Sequence, residues 1–414
     1  MKIRKFKRFV AIMVVAAMLC SGLGCMNMQA INLMDGIIAR NIETVADMNK
    51  GNATVTDFAL KLFKESMEDG KNTLISPLSV LCALSMTANG ADGETLSQME
   101  DVLGMSVSEL NMYVRSYMDG LSEAEKYKLK LANSIWFTDD ERFTVNQDFL
   151  QTNADYYGAD IYKAPFDDTT LKDINNWVNE NTDEMISDIL DEIPDAAIMY
   201  LVNALAFEAE WNDIYLKTQV REGKFTTEDK SEKTVEFMYS TESDYLEDED
   251  ATGIIKYYKD GKYAFVALLP NEGVSVMDYV NSLTGEKLAE MLANHNHATV
   301  STAIPKFETE YSVEMSGVLM RLGMTDAFNM DMANFTKLGE SSGGRIFINR
   351  VLHKTFIAVG EKGTKAGAAT VVEMKDGTSA YNPKEVHLNR PFVYMLIDCE
   401  NNIPFFIGTF MDVE

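Results

Sequence analysis

A chain of 414 residues with 64 acidic against 37 basic side chains, a formal net charge of −27, repels nucleic-acid phosphates and anionic lipid, which argues against nucleic acid as a partner. At 46% hydrophobic it can bury a large core. Without a Pro/Gly/Ser-rich linker or an internal repeat, one continuous domain over residues 45–414, monomeric and facing neutral or basic proteins, is the expectation.

Residues 1–30 read as a secretory signal. Lys2, Arg4, Lys5, Lys7 and Arg8 precede the apolar run 9–19, and small neutral residues follow. That run is too short to anchor the chain in a bilayer, and no later run is long and apolar enough to cross one. Two exits stay open. Cleavage after Met28-Gln29-Ala30 would release an extracellular protein. Alternatively, Gly22-Leu23-Gly24-Cys25 resembles the bacterial lipoprotein box, apart from Gly22 where that box has Leu, and lipidation of Cys25 would tether the chain to a membrane. Cys20 lies inside the leader. Cys82 and Cys399 sit beside apolar residues and are expected as buried free thiols, with a single bridge as the alternative.

Helical spacing comes first, over residues 55–67 and 78–88. Asn72 to Pro77 reads as a strand entering a capped helix, with Pro77 near the first helical position. Residues 129–137 read as a strand, 171–190 as a helix and 197–207 as an apolar run ending in a strand. Strand signals then dominate, at 235–238, 264–269 and 298–307. A helix at 313–322 interrupts them before strands at 345–359, 386–396 and 404–410. Helices early and long antiparallel strands late give an α+β fold. The acidic stretch 242–250 (ESDYLEDED) reads as a solvated loop, since a cation site there would need spaced ligands and a turn glycine.

The stretch 360–381 (GEKGTKAGAATVVEMKDGTSAY) is unlike the rest. From Thr364 to Met374 every even position is uncharged, the alternation of a strand with one buried face. Yet Gly363, Ala366, Gly367, Ala368 and Ala369 have poor strand propensity. Such a pattern suits two states, a loop and an inserted strand. Taken alone, it also suits an ordinary Gly/Ala-rich connection. It matches neither GxxxxGK[ST] nor GxGxxG.

Motifs along the mature chain carry a resemblance: Asn72 to Ser79 (NTLISPLS), Ala132 to Trp136 (ANSIW), Ile174 to Val178 (INNWV), Leu201 to Ala204 (LVNA) with Phe207 and Trp211, Pro305-Lys306-Phe307, Leu322-Gly323-Met324, His353-Lys354, and Asn389 to Phe392 (NRPF) with Phe406 and Gly408. In this order they resemble the serpins, a family of serine protease inhibitors. The resemblance implies a serpin fold with helices, three large mostly antiparallel sheets and an exposed reactive-centre loop at 360–381. It implies a suicide inhibitor: a serine protease cuts the loop, forms an acyl-enzyme, and is distorted as the freed hinge enters the central sheet. By position, the hinge is Glu361, Gly363, Thr364, Ala366, Ala368, Ala369 and Thr370. Ser76, Ser79, Asn203 and His353 match the polar shutter beneath the sheet, and Trp211 matches the breach where insertion starts. Without the resemblance, the two serines are helix-start residues and His353 a satisfied core histidine.

Counting from Gly363 places the reactive bond at Gly377-Thr378, with Thr378-Ser379 next, whereas counting back from Pro391 places it near Ala380. Small residues at the cut imply an elastase-like or subtilisin-like target, and Lys375 would suit a trypsin-like one. The alternative function is a non-inhibitory serpin acting as a binding or carrier protein. An enzyme is not expected, because GxSxG, HExxH and paired CxxC are absent. Neither a cofactor nor a metal is expected. His295-Asn296-His297, with no cysteine or acid close by in sequence, reads as a polar turn.

Overall fold

A computed structural model of the protein describes residues 30–42, 48–121, 127–194, 197–364 and 383–413. Its centre is a seven-stranded sheet in the order Ile31–Asn32, Asp160–Ala164, Tyr127–Thr138, Met199–Glu210, Gly363–Thr364, Arg350–Gly360 and Phe307–Glu314. Met199–Glu210 is buried on both faces as far as Phe207, which accounts for its largely apolar sequence there, broken only by Asn203. One face meets the helix Asp168–Asn181, where Ile174, Trp177 and Val178 pack with Tyr200, Val202 and Leu352. The other face meets the helix Pro77–Ala88, every residue of which is buried. Ser76 caps this helix, its hydroxyl accepting the Ser79 N–H, and Pro77 occupies the first turn, where its missing N–H costs nothing.

The second large sheet has nine strands. Lys384–His387, Asn296–Pro305, Glu232–Glu247, Ala251–Tyr257, Tyr263–Pro270, Phe392–Asp398, Ile403–Phe410 and Thr73–Ile75 follow one another, and Val220–Thr226 pairs with Glu232–Glu247. The sixteen-residue strand Glu232–Glu247 joins two of the expected sheets into one hydrogen-bonded network. A two-stranded ladder of Phe143–Val145 with Gly339–Ser341 is separate.

Several elements end where side chains replace the backbone ladder. The helix expected over 171–190 stops at Asn181. Asp183 and Glu184 take φ of +49° and +62°, and the Asn175 side chain accepts from the N–H groups of Ile189 and Leu190. The strand expected over 298–307 breaks after Pro305, which lacks a donor, and Phe307 opens a strand in the other sheet, opposite Val359. That strand runs to Glu314, so the helix expected from 313 starts at Ser316, where the Glu314 carboxylate accepts the Ser316 N–H. Regular pairing in the 345–359 strand begins at Arg350, because Asn349 turns its side chain to the N–H groups of Ile198 and Met199. The 386–396 strand divides at Asn389 to Pro391, where Arg390 donates to the Pro270 carbonyl.

The acidic stretch 242–250 is a strand as far as Glu247, with Asp244, Tyr245 and Leu246 buried. Cys82 and Cys399 are free thiols, and burial pushes both up to about 12, which keeps them unreactive. Among the described residues, no helix is long and apolar enough to cross a membrane.

Candidate functional site

The strands Met199–Glu210 and Arg350–Gly360 meet along a seam that is closed at one end and wedged open at the other. At the closed end they pair in parallel, from Tyr200 with Arg350 to Asn203 with His353. At the open end Gly363–Thr364 sits between them, antiparallel to both. Thr364 lies opposite Ala209 and Val359, and Gly363 opposite Glu210 and Gly360. Between the two ends, residues 204–208 and 354–358 have ladder partners on their outer sides only, among the described residues.

A buried polar cluster underlies the closed end. The Ser79 hydroxyl donates to Asn203 Oδ1 at 2.6 Å, and His353 Nδ1 lies 2.9 Å from the same oxygen. The Ser76 N–H donates to His353 Nε2 at 3.0 Å, which fixes the proton on Nδ1. Burial lowers the His353 pKa to about 3, so the ring is neutral and serves as donor and acceptor at once. Ser76, Ser79, Asn203 and His353 are thus brought into one connected network that ties a helix start to both strands of the seam.

The open end is built around Trp211. Its indole N–H donates to the Gly360 carbonyl and its backbone N–H to the Lys362 carbonyl, each at 2.8 Å, while the Tyr215 N–H takes the Glu361 carbonyl. The ring stacks on Tyr258 with 4.3 Å between centroids. The Tyr258 hydroxyl is 2.5 Å from Thr364 Oγ1, and burial raises its pKa well above the ordinary range, so it remains protonated. Lys306 bridges Glu361 and Glu236 at 3.0 and 2.9 Å. Gly363 has φ +151°, and a Cβ there would lie 1.9 Å from the Ala209 carbonyl oxygen, so glycine alone fits.

Glu361, Gly363, Thr364 and Trp211 are therefore assembled at one end of the seam, and the polar four at the other. Ala366, Ala368, Ala369, Thr370, Lys375, Gly377, Thr378, Ser379 and Ala380 lie outside the described residues, as does Cys25. Sequence reasoning missed Tyr258 and gave Lys306 no role. Nothing local separates Tyr258 from Tyr257; only its isolated bridge to Trp211, just past the ends of two strands, singles it out.

A family model described as Serpin (serine protease inhibitor) matches residues 53–413. An uncharacterized serpin-like protein of Methanosarcina acetivorans is 28% identical, over 94% of this chain and 93% of its own. The leukocyte elastase inhibitor of Equus caballus is 29% identical, over 86% and 97%. The crystal structure of tengpin, a thermophilic serpin, in its native state is 48% identical and superposes with a TM-score of 0.90, covering 93% of this chain and all of that one. The latent state of tengpin gives 0.79 at 47% identity, over 91% and 100%. The serpins are mostly protease inhibitors, acting on serine proteases and not themselves enzymes, and this chain, matched over most of its length, belongs to the serpin family.

Proposed function

We propose that the protein is an exported, monomeric suicide inhibitor of serine proteases, which traps its target by inserting the cut loop into the seam. The observation that carries this reading is the pair of loop residues, Gly363 and Thr364, already laddered at the open end. Continuing the register in which Thr364 faces Ala209 sets 365–369 against 208–204, the edge that lacks an inner partner. Residue 370 would then fall opposite Asn203, and further entry requires the parallel pairs 200–203 with 350–353 to part.

Strand alternation puts positions 366, 368 and 370 on the core side with Thr364, where the sequence has Ala366, Ala368 and Thr370. Lys365 would fall on the other face. The network of Ser76, Ser79, Asn203 and His353 acts as the shutter, since its hydrogen bonds can be remade in the open form without stranding a charge. Trp211, stacked on Tyr258, holds the breach.

In the covalent step, the protease serine attacks the Gly377 carbonyl and the Gly377-Thr378 bond breaks. Thr378 leaves as a free amine and Gly377 stays esterified to the enzyme. Insertion then outruns hydrolysis of that ester. Incubation with pancreatic elastase or subtilisin should give a band on a denaturing gel at the sum of the two masses less that of the released C-terminal peptide, and mass spectrometry of that peptide should locate the cut. Cleavage without adduct by elastase, subtilisin and trypsin alike would overturn inhibition and favour a binding role.

A further inference from the structure

Far from the seam, the structure gathers three metal-ligating side chains at one point of the nine-stranded sheet. His297 stands opposite Asp244 in the antiparallel pairing of Asn296–Pro305 with Glu232–Glu247, and the register shifts just beyond it. His295, two residues earlier, comes to the same carboxylate. Asp244 Oδ1 is 2.8 Å from His297 Nδ1 and 3.2 Å from His295 Nε2, and the three donor atoms lie within 4.8 Å of one another. The rings stand nearly perpendicular, at 85°, so their nitrogens converge without stacking.

The hydrogen bonds around the cluster leave an unfilled place at its centre. His295 Nδ1 lies 2.9 Å from the Leu292 carbonyl, an acceptor only, so Nδ1 carries a proton and the ring turns Nε2 towards Asp244. The carboxylate is fixed too, because Oδ2 accepts the Ser243 hydroxyl at 2.6 Å. Oδ1 is shut off from solvent and receives no hydrogen bond, the ring nitrogens meeting it off the direction an N–H would need. Three ligand atoms thus converge on a buried carboxylate oxygen that lacks a hydrogen-bond partner, an arrangement that a positive ion between them would satisfy. Among the described residues, no lysine or arginine supplies that charge. Lys256 is paired with Glu242, Lys287 with Asp248 and Lys384 with Glu247.

We propose that Asp244, His295 and His297 bind a zinc ion. Two imidazoles and one carboxylate suit zinc, whereas calcium and magnesium take oxygen ligands. The Leu292 carbonyl and the Ser243 hydroxyl are the outer partners that set ligand orientation in such sites. Asp244 is 5% exposed and His297 82%, so the ion is held from the inside and keeps an outer position for water. A cavity of about 290 Å³ that includes His295, Glu290 and Lys287 in its lining adjoins the cluster. The ion would fasten Glu232–Glu247 to the turn before Asn296–Pro305, the strand that also pairs with Lys384–His387.

The test is titration calorimetry of the full chain with zinc chloride after dialysis against a chelator. One zinc per chain is expected, and cobalt(II) in its place should give visible d–d bands of a low-symmetry nitrogen–oxygen site. Ser243→Ala should weaken binding about tenfold and His297→Ala about 100-fold or more, while His297→Cys, which restores a zinc ligand, should recover most of it. Zinc should raise the melting temperature of the natural chain and leave that of His297→Ala unmoved. His297 is on the surface, so this variant should match the natural chain in circular dichroism and in melting when chelator is present. No binding by the natural chain, or binding by His297→Ala equal to it, overturns the site. The first outcome would leave only a polar contact of the two rings with Asp244, and the second would place the metal elsewhere in the chain.

Discussion

Thr364 is already buried in the uncut protein and shares a hydrogen bond with Tyr258, so an arginine there would disturb the native state before any protease acts. The next core-side position in the register is 366. Ala366→Arg should leave the urea midpoint of the uncut protein unchanged while reducing adduct yield at least about tenfold, because a buried unpaired charge costs several kcal/mol during insertion. Undiminished adduct, measured by gel densitometry, would remove the hinge from the mechanism.

His353 couples the stability of the fold to pH. Its folded pKa of about 3 lies below the unfolded value, so under acid conditions the unfolded chain binds a proton that the folded chain refuses, and stability falls as pH drops. Between pH 6.5 and 5 the loss should be about 2 kcal/mol by urea denaturation, and His353→Gln should flatten that slope. An unchanged slope would mean that the imidazole protonates in place.

Among the elements, the inserted strand makes the sharpest claim. Cutting between 375 and 380 with a trace of protease should raise the melting temperature by tens of degrees, since a whole central strand gains partners on both sides. A cut that leaves melting where it was would show that no strand had entered. The strands around the seam were legible because their sequences alternate or run apolar, as in 129–137 and 197–207. The seam's closing cluster was legible only through the family's motifs, since Ser76 and His353 have ordinary local explanations. The helices Gly93–Leu103, Val107–Gly120 and Gln147–Tyr157 were overlooked, although Ser106 and Glu109 form a capping box at the start of one of them. Their polar, acid-rich faces dilute the apolar period. Asp244 was misplaced for the opposite reason. Its acidic neighbours suggested solvent, but the strand buries it together with Tyr245 and Leu246, and the histidines it meets come from the start of a strand roughly fifty residues away in sequence.

For the whole molecule, the excess of 64 acidic over 37 basic side chains bears on rate more than on grip. With a basic protease, adduct formation should slow several-fold between low and physiological salt, while the fraction of encounters ending in adduct stays constant, because insertion is an internal event. A salt-independent rate in stopped-flow mixing would show that the field of the protein does not steer encounter.

The parallel clasp of residues 200–203 with 350–353 is only four pairs long. On the proposed function it stands as much in the way of an intact loop as of a severed one, and warmth loosens it for both. On that proposal each molecule would carry a fuse as well as a trap: a sample left standing would spend its potency on itself, and its age, no less than its concentration, would decide how much prey it could still take.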